Sequence, residues 1–202
     1  MEETSTPAIG NARPEHLGKL VAIVRADPDL MALLERLREI DLPDWRLVSG
    51  ALYGTVWNAL TGRPRRHGIK DYDIAYFDGS DLSWEAEDTV IRRVDAATAE
   101  LALKVETRNQ ARVHLWFERR FGIAVPPLRS TDESLTRYAA IAHAVGVRLD
   151  ADGALDVVAP FGLDDLFTMR IRPNRVRESG PTHAEKAARA KMMWPEVTVE
   201  TW

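Results

Sequence analysis

Two kinds of apolar spacing divide the chain into segments, and the order of those segments predicts its fold class. Near the N-terminus, apolar residues recur every three or four positions, which predicts two consecutive helices separated by the helix-starting pair Asp27-Pro28. The two stripes consist of Leu17, Leu20, Val21 and Val24, then Leu30, Leu33, Leu34 and Leu37. A short strand over Arg46–Gly50 and a helix over Ala51–Gly62 are predicted next.

The segment Ile69–Phe77 (IKDYDIAYF) alternates like a strand, and its two faces differ in chemistry. Side chains two residues apart share a strand face, so Asp71, Asp73 and Ala75 are expected on one side. The other side is expected to carry Tyr72, Ile74 and Tyr76. The two carboxylates therefore project away from the large apolar side chains of this strand.

The rest of the chain mixes helices and strands. A helix is predicted from Ser83 to about Leu101, and a strand over Ala102–Thr107 that places Lys104 and Glu106 on one face. A hairpin is predicted to turn at Asp152-Gly153. The last helix is expected to start at a capping box formed by Thr182 and Glu185. The pattern indicates the α+β class.

Length and composition set the domain organisation. The chain has 202 residues, of which 45% are hydrophobic and 29% charged, as in ordinary globular proteins. Residues 1–13 are predicted to be a flexible tail, and residues 14–202 a single domain. Its core is expected at about residues 44–125, followed by an extension over about residues 126–202.

Charge, cysteine content and hydropathy limit the class of function. The formal net charge of −4 argues against a generally basic nucleic-acid binder. There is no cysteine, so thiolate metal sites and disulfides are excluded and a cytoplasmic location is expected. No apolar run approaches the about 20 residues of a membrane span, and the polar N-terminus does not resemble a signal peptide.

The Asp71-x-Asp73 pair is the main candidate for chemistry. On one strand face its two backbone positions lie roughly 6–7 Å apart, so both carboxylates can reach one hard cation or bracket two. A two-metal site then needs a third carboxylate from a neighbouring strand, and Glu106 is the candidate. A bare pair of this kind is weak evidence, since solvated acids on an edge strand give the same pattern.

The surrounding residues make the pair more specific. The order of a strand, a glycine turn, a helix, a basic loop and Asp-x-Asp in Leu47–Asp78 resembles the nucleotidyltransferase superfamily of DNA polymerase beta. The chain most resembles a bacterial family of small nucleotidyltransferase-like proteins. The segments that carry this resemblance are GALYGTVWN, KDYDIAYFD, ETRNQARVHLWFE, PPLRSTDE and APFGLDDLF.

The resemblance implies a nucleotidyltransferase-type mixed sheet flanked by helices, with N-terminal helices and a C-terminal hairpin and helix extension. It implies that Asp71 and Asp73 bind Mg²⁺, with Mn²⁺ as the alternative, together with a nucleoside triphosphate. Glu106 becomes the third acid and helps to activate the acceptor hydroxyl. Gly50 lets backbone N–H groups approach the phosphates at a helix start. The sequence departs from the superfamily at Ala51, where Gly or Ser is usual, and Ser49 is the alternative hydroxyl.

Several flanking residues have two interpretations. Lys70, in the basic loop before Asp71, is expected to contact nucleotide or to be solvated. Asn109 is expected to contact nucleotide or to cap the next helix. The segment Arg170–Lys191 carries seven basic residues against two acidic ones, which suits either a polyanion or a solvated helix.

Two functions remain open from the sequence. The leading one is nucleotidyl transfer to an acceptor that is a small molecule, a protein or an RNA end. The alternative is a nucleotide-binding or regulatory protein of the same fold with little turnover. A glycosyltransferase is disfavoured, because only 70 residues precede Asp71 and two helices occupy much of that length. No membrane partner is expected, and the sequence does not give the oligomeric state.

Overall fold

A computed structural model describes residues 13–176 and 178–202. The tail predicted over residues 1–13 lies outside these residues except for Arg13. The longer helices are α1 (Pro14–Ala26), α2 (Pro28–Ile40), α3 (Gly50–Thr61), α4 (Trp84–Thr98), α5 (Val113–Phe121), α6 (Thr131–Leu135), α7 (Asp164–Phe167) and α8 (Gly180–Met193). The strands are β1 (Arg46–Val48), β2 (Tyr72–Tyr76), β3 (Val105–Asn109), β4 (Gly146–Leu149), β5 (Leu155–Val158), β6 (Arg170–Ile171) and β7 (Thr198–Val199).

A mixed five-stranded sheet forms the centre of the molecule, in the order β3-β2-β1-β4-β5. The β2–β3 pair is parallel, because the chain crosses over through α4, and the other neighbours are antiparallel. The predicted α+β class with a mixed sheet flanked by helices is confirmed. The β4–β5 hairpin turns at Gly153 as predicted. Its strand β4 pairs with β1, so the central sheet includes strands from both the predicted core (44–125) and the predicted extension (126–202).

The two faces of the sheet are covered unequally. Tyr72, Ile74 and Tyr76 of β2 join the main core, to which the N-terminal helices α1 and α2 contribute their leucines. On the other face Ala75 packs in a small cluster with Val48, Leu135 and Val158. The alternation predicted for this strand is therefore confirmed, and Asp73 lies on the face with the smaller apolar cover.

Helix starts are predicted well where a side chain caps the helix. The Asp27 carboxylate accepts hydrogen bonds from the N–H groups of Asp29 and Leu30, as expected for the cap of α2. The prediction of a capping box at Thr182 is wrong. Helix α8 begins two residues earlier, at Gly180, and Thr182 therefore lies inside its first turn.

Trp194, at the end of α8, fastens this helix to the rest of the domain. Its side chain is fully buried and packs edge-on against Trp57 of α3, with ring centroids 5.3 Å apart. Its Nε1–H donates to Asn58 Oδ1, while Asn58 Nδ2 donates to the carbonyls of Arg65 and His67. One amide thus joins α3, the basic loop before β2 and the C-terminal helix. Among the described residues, no helix combines the length and apolar character needed to cross a bilayer.

Gly68 is expected to be essential to this contact. Its φ of +68° is in the left-handed region, and a Cβ there would stand 2.6 Å from the Trp194 ring. Gly62 is a matched control, because its φ is +67° and nothing lies within 4 Å of its Cβ position. Gly62→Ala should lower the free energy of unfolding by about 1 kcal/mol, and Gly68→Ala by about 1–3 kcal/mol more. Equal losses in chemical denaturation would contradict the proposed contact.

Candidate active site

The register of the sheet brings the predicted acids together. Asp73 of β2 pairs directly with Glu106 of β3 on one side and with Val48 of β1 on the other. Asp71 immediately precedes β2, and its carbonyl oxygen lies 3.9 Å from the place where a Cβ on Gly50 would stand. Asp71, Asp73 and Glu106 therefore gather beside the start of α3. Their chemical roles stay predictions.

Two lysines accompany these acids. Lys70 Nζ lies 3.1 Å from Asp71 Oδ2, so the structure places the predicted nucleotide-binding Lys70 at the carboxylate cluster. Lys104 Nζ lies 3.5 Å from the same oxygen and also donates to Glu106 Oε1. The sequence placed Lys104 on the Glu106 face but did not indicate that it joins two of the acids.

Burial and the neighbouring acids both shift the pKa of Asp73. Burial raises the pKa of Asp73 to about 6, and the neighbouring charges of Asp71 and Glu106 add to the rise. The ammonium groups of Lys186 and Lys70 oppose it without cancelling it. Because burial is the main cause, a cation bound beside Asp73 would favour its ionised carboxylate.

The donor set suits a hard divalent cation, because all three acids supply carboxylate oxygens. Within residues 13–176 and 178–202, no group of three acids or histidines is already arranged to hold a metal ion. Lys104 contacts both Asp71 and Glu106 in this conformation. The residues thus fit the expected Mg²⁺ in chemistry, and Asp71, Asp73 and Glu106 are those that would hold it.

The turn into α3 offers hydrogen-bond donors beside the acids. Ser49 has a φ of +58°, an uncommon conformation for a residue with a side chain, and its carbonyl accepts from the N–H groups of Leu52 and Tyr53. In the described chain no acceptor pairs with the N–H of Gly50 or Ala51. Ala51, the residue that departs from the superfamily, is fully buried in the main core and lines neither cavity described below, whereas Gly50 lines one of them.

Two cavities meet at the acids. The first, here called the polar cavity, measures about 440 Å³ and includes Ser49, Gly50, Lys70, Asp71, Asp73, Lys186 and Arg189 in its lining. The second, called the apolar cavity, measures about 300 Å³ and includes Glu106, Trp116, Phe117, Tyr138 and His143. Ser49, Asp73 and Lys186 line both. Asp73 therefore stands between two compartments of different character.

Asn109 is not brought into this cluster. Its side chain is buried, accepts from the N–H groups of Ala111 and Asp78, and donates to the Asp78 carbonyl. The capping interpretation is confirmed, and we leave Asn109 out of the proposed nucleotide site.

The basic C-terminal segment is mostly engaged in internal contacts. Arg170 pairs with Glu200 and Arg172 with Asp165. Arg175 packs over the Trp202 ring, and Lys191 donates to two carbonyls. Arg177 lies outside the described residues.

Helix α8 nevertheless supplies residues to the cavities, and two of them, Lys186 and Arg189, belong to the basic segment that the sequence analysis singled out. Thr182 and Lys186 line both cavities, and Arg189 lines the polar one. Their spacing of four and then three residues marks one helix face and was visible in the sequence. The sequence did not show which strands this helix face packs against, because α8 reaches the site only through tertiary packing.

Comparisons with known proteins agree with the fold. A protein-family model described as Nucleotidyltransferase matches residues 35–199. A solved structure whose description is that the NMR structure reveals a CCA-adding enzyme head domain has a TM-score of 0.74 at 20% sequence identity. That match covers 92% of this chain and 96% of the other, and at this identity it shows the fold alone. Among curated proteins no significant match is found.

The raised pKa of Asp73 predicts a pH-dependent effect on stability. The folded chain holds a proton on Asp73 up to about pH 6, whereas the unfolded chain releases it near 3.8. Stability contributed by this group therefore falls as pH rises between these values. Asp73→Asn removes the cost of keeping an ionised carboxylate at this buried position. It should therefore raise the free energy of unfolding near neutral pH by on the order of 2 kcal/mol. The gain should vanish near pH 4.

Asp81 provides the control for this measurement, made by urea denaturation with a chelator present. A backbone hydrogen bond from Ser83 lowers the pKa of this exposed carboxyl, so Asp81→Asn should give no gain at neutral pH. A gain for Asp73→Asn that is independent of pH would contradict the raised pKa of Asp73.

Proposed function

Because the chain belongs to this nucleotidyltransferase family, as its sequence resemblance predicted, we propose that it moves a nucleoside monophosphate from a nucleoside triphosphate to an acceptor hydroxyl, with Mg²⁺ as cofactor. The observation that carries the proposal is the register that sets Asp73 beside Glu106, next to the free N–H of Gly50 at the start of α3. Nucleotidyl transfer needs carboxylates next to hydrogen-bond donors that hold phosphate. The acids of β2 and β3 and the start of α3 provide this combination.

The polar cavity suits the triphosphate. The N–H of Gly50, which lines this cavity, and the positive end of the α3 dipole are available to an anion. Lys70, Lys186 and Arg189 add positive charge around the same cavity. The triphosphate is thus held by the backbone of the turn, while basic side chains screen its charge and leave the α-phosphate beside Asp73.

The acids divide the chemistry of transfer. When bound at Asp71 and Asp73, a divalent cation lowers the barrier by drawing negative charge from the phosphate oxygens. Glu106 accepts the proton of the acceptor hydroxyl as the new oxygen–phosphorus bond forms. The bond between the α-phosphorus and its bridging oxygen breaks, and the electron pair leaves with pyrophosphate. Lys104 holds the Glu106 carboxylate by a direct hydrogen bond.

One observation favours the second function, a nucleotide-binding protein with little turnover. Lys104 contacts Asp71 and Glu106 at once, which places an ammonium group where a metal ion would share the same oxygens. A protein in which the Lys104 ammonium group permanently took the place of the metal ion would bind nucleotide without Mg²⁺ and release no pyrophosphate. Thermal stabilisation by nucleotide with and without Mg²⁺, together with a pyrophosphate assay, separates the two functions.

Asp71→Asn and Asp73→Asn should each abolish Mg²⁺-dependent binding or transfer of nucleotide. The reason is the loss of an ionised oxygen ligand, and the fold should persist because both side chains line a cavity. Isothermal titration with a nucleoside triphosphate and a pyrophosphate assay measure the effect, with exposed Asp81→Asn as control. Full activity in either variant would refute the metal assignment.

Glu106→Gln should separate chemistry from binding. The amide cannot take the acceptor proton, so turnover should fall sharply while nucleotide affinity stays within about tenfold. Glu118, an exposed acid on α5, supplies the matched control as Glu118→Gln. Equal losses of turnover and affinity would assign Glu106 to nucleotide binding instead.

A further inference from the structure

His143 is an unusual residue in the interior of this protein. Only 2% of its surface is exposed, and neither of its ring nitrogens has a hydrogen-bond partner within the described chain. Its ring stacks on Tyr53 of α3, with centroids 4.3 Å apart and planes inclined by 21°. Buried polar groups without a partner cost folding free energy, so a purely structural role would be served better by an apolar ring.

The surroundings keep this imidazole neutral. Burial lowers the pKa of His143 to about 3, and the charges of Lys186 and His183 lower it further. A neutral imidazole has one nitrogen that donates a hydrogen bond and one that accepts. His143 therefore offers a mixed pair of contacts suited to a hydroxyl or amide group, and it offers no positive charge to an anion.

His143 lines the apolar cavity, whose other walls are suited to a flat molecule. Trp116, Phe117, Phe121 and Tyr138 line the same space. Its volume of about 300 Å³ is at the lower end for small-molecule sites. Glu106 and Asp73 line the cavity too, so a hydroxyl of a molecule bound there can reach the acids.

The charges that line the apolar cavity are balanced. Arg108, Arg137 and Lys186 line it together with Asp73 and Glu106, and Arg137 is paired with Glu133. Counted with Glu133, three acids offset three bases. The cavity itself therefore suits an uncharged ring better than a phosphate-rich occupant.

We propose that the apolar cavity is the acceptor site and that it takes a small planar molecule bearing a hydroxyl, with His143 as its hydrogen-bonding partner. The proposal rests on the proposed function for the identity of the reaction. The aromatic side chains hold the ring of the acceptor, His143 fixes its orientation, and the hydroxyl faces Glu106. His143 is a specificity residue for the acceptor and takes no part in holding the triphosphate.

Two variants test the site without touching the acids. His143→Phe keeps an aromatic ring and removes both nitrogens, and Val113→Trp fills the cavity from α5, since Val113 lines it. Their matched controls lie on α5 outside both cavities: His114→Phe, and Leu115→Trp at a position that is 54% exposed. Unfolding midpoints of all four variants show whether the fold is kept.

Binding is measured by saturation-transfer NMR with three probes: tyrosol, tryptophol and an RNA oligonucleotide with a free 3′ hydroxyl. The wild type should bind at least one aromatic alcohol, and His143→Phe should weaken that binding by about tenfold, the effect of one lost hydrogen bond. Val113→Trp should abolish it, and both controls should bind like the wild type. An unfolding midpoint of His143→Phe at or above that of the wild type would show that the histidine is kept at a cost to stability.

Failure of this proposal is distinguishable from failure of the proposed function. No binding of either alcohol, binding of the RNA oligonucleotide alone, or wild-type binding of the alcohol by His143→Phe would overturn the acceptor assignment. In those cases Mg²⁺-dependent nucleotide binding and pyrophosphate release would still support nucleotidyl transfer. Alcohol binding that depends on His143 but gives no pyrophosphate with any nucleotide would support the cavity assignment and refute the reaction.

Discussion

The parallel pairing of β2 with β3 is the constraint on which the site depends. It aligns Asp73 with Glu106, and the antiparallel pairing of β1 with β2 sets Val48, one residue before the Ser49 turn, against Asp73. A shift of one residue in either pairing would send these carboxylates into the main core, because neighbouring strand residues face opposite sides. The apolar residues Tyr72, Ile74 and Tyr76 hold the register by filling that core. The same side chains that stabilise the sheet thus gather the negative charge on its other face.

The second determinant is the packing of α8. Trp194 and Asn58 connect this helix to α3, and Arg189 donates to the Gly68 carbonyl in the loop before β2. These contacts bring Lys186 to the boundary of both cavities, where its charge partly offsets that of the acids. Helix and sheet therefore act together: the sheet supplies carboxylates, and the helix supplies a counter-charge and a shared wall.

Local signals in the sequence were sufficient for much of this. The alternation around Asp73, the cap at Asp27 and the turn at Gly153 each depend on residues close in sequence, and the structure confirms them. The contact of Lys104 with both Asp71 and Glu106 depends on strand register and could not be predicted from spacing. His143 has no local motif at all, because its significance comes from burial among distant residues. The start of α8 was missed because Thr182 and Glu185 imitate a cap inside a helix that begins at Gly180.

The wall that α8 forms between the cavities links their occupancy. The helix is fixed by Ala187, Ala190 and Trp194 in the main core and by the hydrogen bond of Arg189 to the Gly68 carbonyl. Lys186 borders both compartments, so a ligand that draws its ammonium group toward one cavity removes positive charge from the other. By thermodynamic reciprocity, each ligand would then change the affinity of the other by the same factor.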